Sequence, residues 1–121
     1  MSDKELIEFA AKAIGWRVAS FSERGTSIVN GGMAVVVGEG RNFGWRPQLD
    51  DGDSMRLAVK LRMEIYHGSD EGSAAYVGYW VDGRMQYCIE YYDDITHMGD
   101  ACSATRRAIL RAAAEVGKAM Q

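Results

Sequence analysis

Tyr76-Val77-Gly78-Tyr79-Trp80-Val81-Asp82-Gly83-Arg84-Met85-Gln86-Tyr87-Cys88-Ile89 is the stretch whose reading decides the fold. Asp82-Gly83 is a pair favoured in type I′ turns, where both central residues take positive φ, and aromatic-rich runs flank it. A two-residue turn sets the register of the hairpin. Trp80 then faces Met85, Gly78 faces Tyr87 and Tyr76 faces Ile89 on one side, while Tyr79 faces Gln86 and Val77 faces Cys88 on the other. The first set reads as core and the second as a partly exposed face. Tyr76, Tyr79, Trp80, Tyr87, Tyr91 and Tyr92 could stack on bases or sugars, but their alternation fits cross-strand packing at least as well. Tyr79 and Tyr92 are the exceptions, read as exposed and suited to a protein interface.

Before the hairpin, His67-Gly68-Ser69-Asp70-Glu71-Gly72-Ser73 is a polar loop. Leu61, Met63 and Ile65 alternate with charged or polar residues, so a strand starts close behind the preceding helix. That helix carries Met55, Leu57, Ala58, Val59 and Leu61 with only Arg56 and Lys60 as a polar stripe, which implies cover on most sides. Pro47 keeps Arg46 out of helical geometry, so the helix starts no earlier than Asp50-Asp51-Gly52-Asp53. Those aspartates resemble part of a calcium loop, but the later ligands are missing and capping of the helix explains them better. Gly38-Glu39-Gly40-Arg41-Asn42-Phe43-Gly44 lacks the spacing of a phosphate loop and reads as a flexible surface loop.

Nearer the N-terminus, residues 16–37 carry short β-branched or aromatic runs, read as strands at about 16–21, 26–29 and 33–37, with turns at Glu23-Arg24-Gly25 and Asn30-Gly31-Gly32. Val35-Val36-Val37 does not alternate, as expected for a strand covered on both faces or lying near the sheet centre. Ser2 and Glu5 form a capping box for a first helix whose stripe is Leu6, Phe9, Ala10, Ala13 and Ile14, ended by Gly15. After the hairpin come Tyr91-Tyr92-Asp93-Asp94 and a last helix capped by Asp100 or Ser103. Ile109, Ala112, Ala113, Val116 and Met120 make its buried stripe, and so many alanines point to a close approach by another element.

At 121 residues, 47% of them hydrophobic and 26% charged, the chain is expected to form one domain over 1–121 that folds without disulfides or metal. No apolar run approaches the roughly 18 to 20 residues of a membrane span, and the charged N-terminus does not read as a signal peptide, so a cytoplasmic protein is expected. Cys88 and Cys102 are then two reduced thiols. The net charge of −3 disfavours binding that depends on neutralising phosphates.

His67, His97 and the cysteines match no zinc spacing, and no histidine can be assigned to Cys102 as a base. No cofactor or metal is expected. The candidate binding residues are Arg46, Asp50, Asp51, Asp53, Tyr79, Tyr92, Asp93 and Asp94, with no catalytic residue assigned.

Trp45-x-Pro47-x-Leu49-Asp50-Asp51-Gly52-Asp53-x-Met55-Arg56-Leu57-Ala58-Val59-Lys60-Leu61, together with Ala104-Thr105-Arg106-Arg107-Ala108-Ile109 and Ala112-Ala113-Ala114-Glu115-Val116-Gly117, resembles the small phage and prophage proteins of the Phage ABA sandwich domain family. These motifs cover about a quarter of the chain. The resemblance implies layered helices and sheet and a tailed-phage origin, and it brings no catalytic residue. The expected architecture is α+β, three helices on a mainly antiparallel sheet of about five or six strands, a layered α/β sandwich. The expected function is a phage accessory protein that binds a host or phage protein, with action against host defence as one form. A small metal-dependent hydrolase or nucleotide-binding enzyme using Asp50, Asp51, Asp53 and His97 is the alternative. A nucleic-acid-binding regulator using Arg106, Arg107 and Arg111 is a second, and a homodimer stays open.

Overall fold

The computed structural model describes residues 2–22, 32–68, 73–93 and 97–120. The strand expected at 26–29, the turns at Glu23-Arg24-Gly25 and Asn30-Gly31, the acidic pair Asp70-Glu71 and the binding candidate Asp94 lie outside the described residues. The elements in order are α1 (Asp3–Ala13), β1 (Arg17–Ser22), β2 (Met33–Gly38), β3 (Arg41–Trp45), α2 (Asp51–Lys60), β4 (Glu64–Gly68), β5 (Ala74–Val81), β6 (Arg84–Tyr91) and α3 (Ala101–Ala119).

The fold is α+β, but the strands among the described residues do not make one sheet. They form two three-stranded antiparallel sheets, β1-β2-β3 and β4-β5-β6. The physical reason is α2, which separates the two sets of strands in the chain, so that each strand pairs only with its sequence neighbours. Antiparallel pairing needs only short turns, and each set obtains it locally. β2 is the central strand of its sheet, as the unbroken valine run implied, yet it is buried on one face and half-buried on the other.

The segment expected as a loop at 38–44 is a hairpin. Glu39 (φ 54°) and Gly40 (φ 77°) are its two turn residues, between the paired Gly38 and Arg41, and β3 follows at once. Asp82 (φ 52°) and Gly83 (φ 74°) make the equivalent turn between β5 and β6. The helix starts follow the sequence closely. Ser2 accepts from Glu5 N–H and donates to the Glu5 carboxylate, Asp50 caps α2 by accepting from Asp53 N–H at 2.8 Å, and Asp100 caps α3 by accepting from Ser103 N–H at 3.0 Å.

α3 is the centre of the molecule. It packs on α1, on α2 and on strands β5 and β6, while α1 also meets β1, so one core runs from the first sheet through the helices to the second. Its alanines Ala104, Ala108, Ala112, Ala113 and Ala114 are fully buried, more of the helix circumference than a single stripe covers. Small side chains on two sides let α3 lie close both to the sheet and to α1. At Gly117 the approach is closest: a Cβ there would sit 2.7 Å from the Phe9 carbonyl carbon and nearer still to its oxygen. Ile7, Leu57, Ile109 and Leu110 fill the spaces between, each adding about 1.5–3 kcal/mol by leaving water.

α2 is less covered than its composition implied. Ser54, Leu57 and Ala58 face inward, whereas Met55 and Val59 are exposed on its outer side.

Candidate functional site

The β5–β6 register is the expected one, with Trp80 opposite Met85, Gly78 opposite Tyr87 and Tyr76 opposite Ile89. The two faces are the reverse of the expectation. Trp80 and Tyr87 are each 50% exposed, and Tyr66, Ile89 and Tyr91 are exposed beside them, while Val77, Tyr79 and Cys88 are buried. The reason is the partner element. An Ala-rich helix that lies close to the sheet accepts Ala75, Val77 and Cys88 beneath it, with the one inner ring, Tyr79, placed beside its C-terminal end.

The outer face is therefore an aromatic surface across three strands. Tyr66 of β4 lies opposite Tyr76 of β5, and their rings stack with centroids 5.1 Å apart and planes 2° from parallel. Tyr87 meets the edge of Tyr66 at 6.4 Å. Glycines provide the space for these rings: a Cβ on Gly68 would meet the Tyr76 ring at 2.6 Å, and one on Gly78 would meet Met85 Sδ at 2.8 Å and Tyr87 at 3.1 Å. Among the described residues, the face holds by register one charged residue, Glu64, and no lysine or arginine.

On the inner face, Tyr79 is 8% exposed, which corrects its reading as an interface residue. Burial, more than the nearby Cys88 and Glu115, pushes its hydroxyl up to about 12. Burial also raises Cys88 above the ordinary thiol range. At the end of β6, Glu90 accepts from Arg111 of α3 and lies 2.8 Å from His97 Nε2, while His97 Nδ1 is 3.1 Å from Ser103 Oγ. At the opposite edge of the same face, His67 Nε2 is 2.9 Å from Thr105 Oγ1. Both contacts tie strand edges to α3. His97 thus belongs to a structural knot rather than to the acidic cluster of α2.

The aspartates are occupied. Asp53 accepts from Arg46 N–H and from the Arg56 guanidinium, each at 3.0 Å, so it closes the turn before α2, and Asp50 is the cap. Asp51 is mostly exposed and pairs with Arg106 at 2.6 Å. Asp93 accepts from Ser73 N–H at 3.4 Å, and the Tyr92 ring meets the His67 ring at 6.3 Å. Arg46 and these acids therefore do not converge on one site. Among the described residues, no group of three or more His, Cys, Asp or Glu side chains is placed to hold a metal ion. Nor do the arginines of α3 make a free basic stripe, since Arg106 pairs with Asp51, Arg107 with Asp3 and Arg111 with Glu90.

Two hollows flank α2. One, of about 400 Å³, is lined by Trp16, Arg41, Phe43, Arg56 and Lys60, and its cations are already engaged: Lys60 with Glu39 and the Trp16 ring, Arg56 with Asp53, Arg41 over Phe43. The other, of about 330 Å³, lies between the start of α2 and the start of α3 and holds Ser54, His67, Cys102, Thr105 and Arg106. Sequence spacing gave no sign of it, because its residues come from three separate elements. Both cysteines are free, Cys88 buried and Cys102 exposed.

No described helix is long and apolar enough to cross a membrane. No family model, curated protein or solved structure matches the chain.

Proposed function

We propose that this chain is a phage or prophage accessory protein that acts by binding a host or phage protein, and that the partner docks on the outer face of β4-β5-β6. The single observation that carries this reading is the exposed aromatic surface made of Tyr66, Trp80, Tyr87, Ile89 and Tyr91. Aromatic side chains offer about 150–250 Å² each, so five residues near half exposure present roughly 450 Å² of largely apolar surface. A patch of that order is often functional on a monomer, and tyrosine and tryptophan dominate protein interfaces because they supply rigid area at low entropic cost. Apolar surface of this kind also suits a second copy of the chain, so a homodimer uses the same face. The phage origin rests on the resemblance of the α2 and α3 motifs to the Phage ABA sandwich domain family.

A protein partner is favoured over single-stranded nucleic acid on charge. Stacking sites for nucleic acid combine aromatic rings with a cationic groove that follows the phosphates, and among the described residues this face has Glu64 but no lysine or arginine.

Affinity purification from phage-infected cells tests the reading, with Trp80→Ser/Tyr87→Thr as the paired bait. Because both side chains are half exposed, the double variant should keep its melting temperature within a few degrees. A stoichiometric partner, or self-association, retained by the native face and lost by the variant is the expected result. Capture of the same proteins by both baits would refute the assignment of the face, and failure of the native bait to retain any partner or to self-associate would remove the binding function itself.

A further inference from the structure

The smaller hollow carries an unexplained polar group. Ser54 lines it, is 2% exposed, and its Oγ has no hydrogen-bond partner among the described residues. A buried hydroxyl is normally paired, and one left alone beside an open cavity is placed for a partner that arrives from outside. Arg106 lines the same space. Its Nε donates to the Gln48 carbonyl and its Nη1 to Asp51, which leaves further N–H donors of the same planar group available. Asp51, His67 and Thr105 also line it, Asp51 already paired with Arg106 and His67 with Thr105, and the rest of the wall is apolar, chiefly Met55, Ala101 and Ile109. The cavity thus combines a hydrophobic slot with a hydroxyl and a guanidinium that both donate.

We propose that this cavity between α2 and α3 binds a small carboxylate with an apolar body, its alkyl or aryl part against Met55 and Ile109 and its carboxylate accepting from Ser54 and Arg106. A carboxylate is acceptor-only and pairs well with a guanidinium fork, which is why the acid is favoured over a neutral alcohol or amide of the same shape. The volume of about 330 Å³ lies at the lower end of the range for small-molecule sites, which sets the size of the body. None of the residues lining this cavity lies on the aromatic sheet face, so the two readings stand or fall separately.

The exposed thiol of Cys102 lines the cavity and serves as a reporter, since Cys88 is buried. The rate of Cys102 alkylation by iodoacetamide, followed by mass spectrometry of the intact chain, would be measured with hexanoate, phenylacetate, hexanamide and acetate, alongside the melting temperature. Hexanoate and phenylacetate at millimolar concentration should slow the labelling and raise the melting temperature, whereas acetate and hexanamide should do neither. Ser54→Ala should keep the fold and weaken hexanoate binding about tenfold, the loss expected for one hydrogen bond to a charged group. Met55→Trp, at the exposed rim, should block protection without touching the core. Equal protection by hexanamide, undiminished protection in Ser54→Ala, or no effect of either acid on both readouts would overturn the proposal.

Discussion

Replacing Gly117 by alanine in α3 sets two effects of opposite sign against each other. Alanine is the better helix former by about 1 kcal/mol in a helix interior, and by less in the last turn, where Gly117 stands. Against this, the new methyl would sit 2.7 Å from the Phe9 carbonyl carbon and overlap its oxygen. The obstacle is backbone, so no rotamer change relieves it, and α1 must move off by roughly 1 Å to restore ordinary contact. A gap of about that size forfeits a quarter to a half of the dispersion energy at each atom pair it opens, and overpacking in a core costs about 1–3 kcal/mol. The contact being opened includes Leu6, Ile7, Ala10 and Ala11, all buried. The steric cost wins, and Gly117→Ala should destabilise the domain by about 2 kcal/mol, or lower the melting temperature by about 8 °C for a domain of this size. Urea unfolding followed by circular dichroism measures it, with an unchanged m-value showing that the denatured state is unaltered. Comparing Lys118→Gly with Lys118→Ala, one residue on and exposed, isolates the propensity term, since both variants lose the same pairing with Glu115. A Gly117→Ala midpoint at or above that of the native chain would mean that α1 and α3 do not approach this closely, and the packing described above would be wrong.

Two further predictions concern stability. The hydroxyl of Tyr79, pushed up to about 12, ionises later in the folded chain than in the unfolded one, where it titrates near 10. Below about pH 10 both forms keep the proton and there is no effect; above it the unfolded chain binds fewer protons, so stability falls with pH until the folded tyrosine also ionises. The loss reaches about 2–3 kcal/mol by pH 12. The raised Cys88 acts in the same direction. Urea midpoints from pH 9 to 11.5 should therefore fall steeply for the native chain and less for Tyr79→Phe; parallel slopes would show that Tyr79 is not shielded. At the start of α2, Asp50→Ala removes only a cap and should cost about 1 kcal/mol in urea unfolding. Asp53→Ala keeps that cap but frees both Arg46 N–H and Arg56 and should cost more, and the reverse order would contradict the assigned roles.

Local chemistry was legible where one short segment determines the outcome. The Ser2 cap, the Asp50 cap and the Asp82-Gly83 turn each depend on residues within about four positions, and the structure has these three, with the Glu5 carboxylate accepting from the Ser2 hydroxyl. Glu39-Gly40 makes the same kind of turn as Asp82-Gly83, but its neighbours Arg41, Asn42 and Gly44 are poor strand residues, and so the second hairpin read as a loop. The division into two sheets was not legible, because period-2 patterning says that a strand has two faces and nothing about which strands share a sheet.

The hairpin from Tyr76 to Ile89 shows the limit most clearly. Pairing register came from two residues, but which face points inward depends on α3, whose sequence begins ten residues after β6 ends. Treating aromatic residues as core follows the usual burial order, and here it fails because the covering helix is alanine-rich. A helix that approaches closely selects Ala75, Val77 and Cys88 along most of its length, and Tyr79 is admitted only beside its last turns, near Glu115 and Lys118. The small residues of β5 and β6 and the alanines of α3 were both visible in the sequence; only their pairing identifies the inner face. The same pairing leaves the aromatic residues outside. Beyond their cross-strand contacts, the exposed part of these rings gains nothing for the isolated fold, since apolar area held in water lowers solubility and contributes no burial energy. Binding a partner is what would convert that area into stabilisation, and for this reason the face, rather than the acidic turn before α2, is where function is sought.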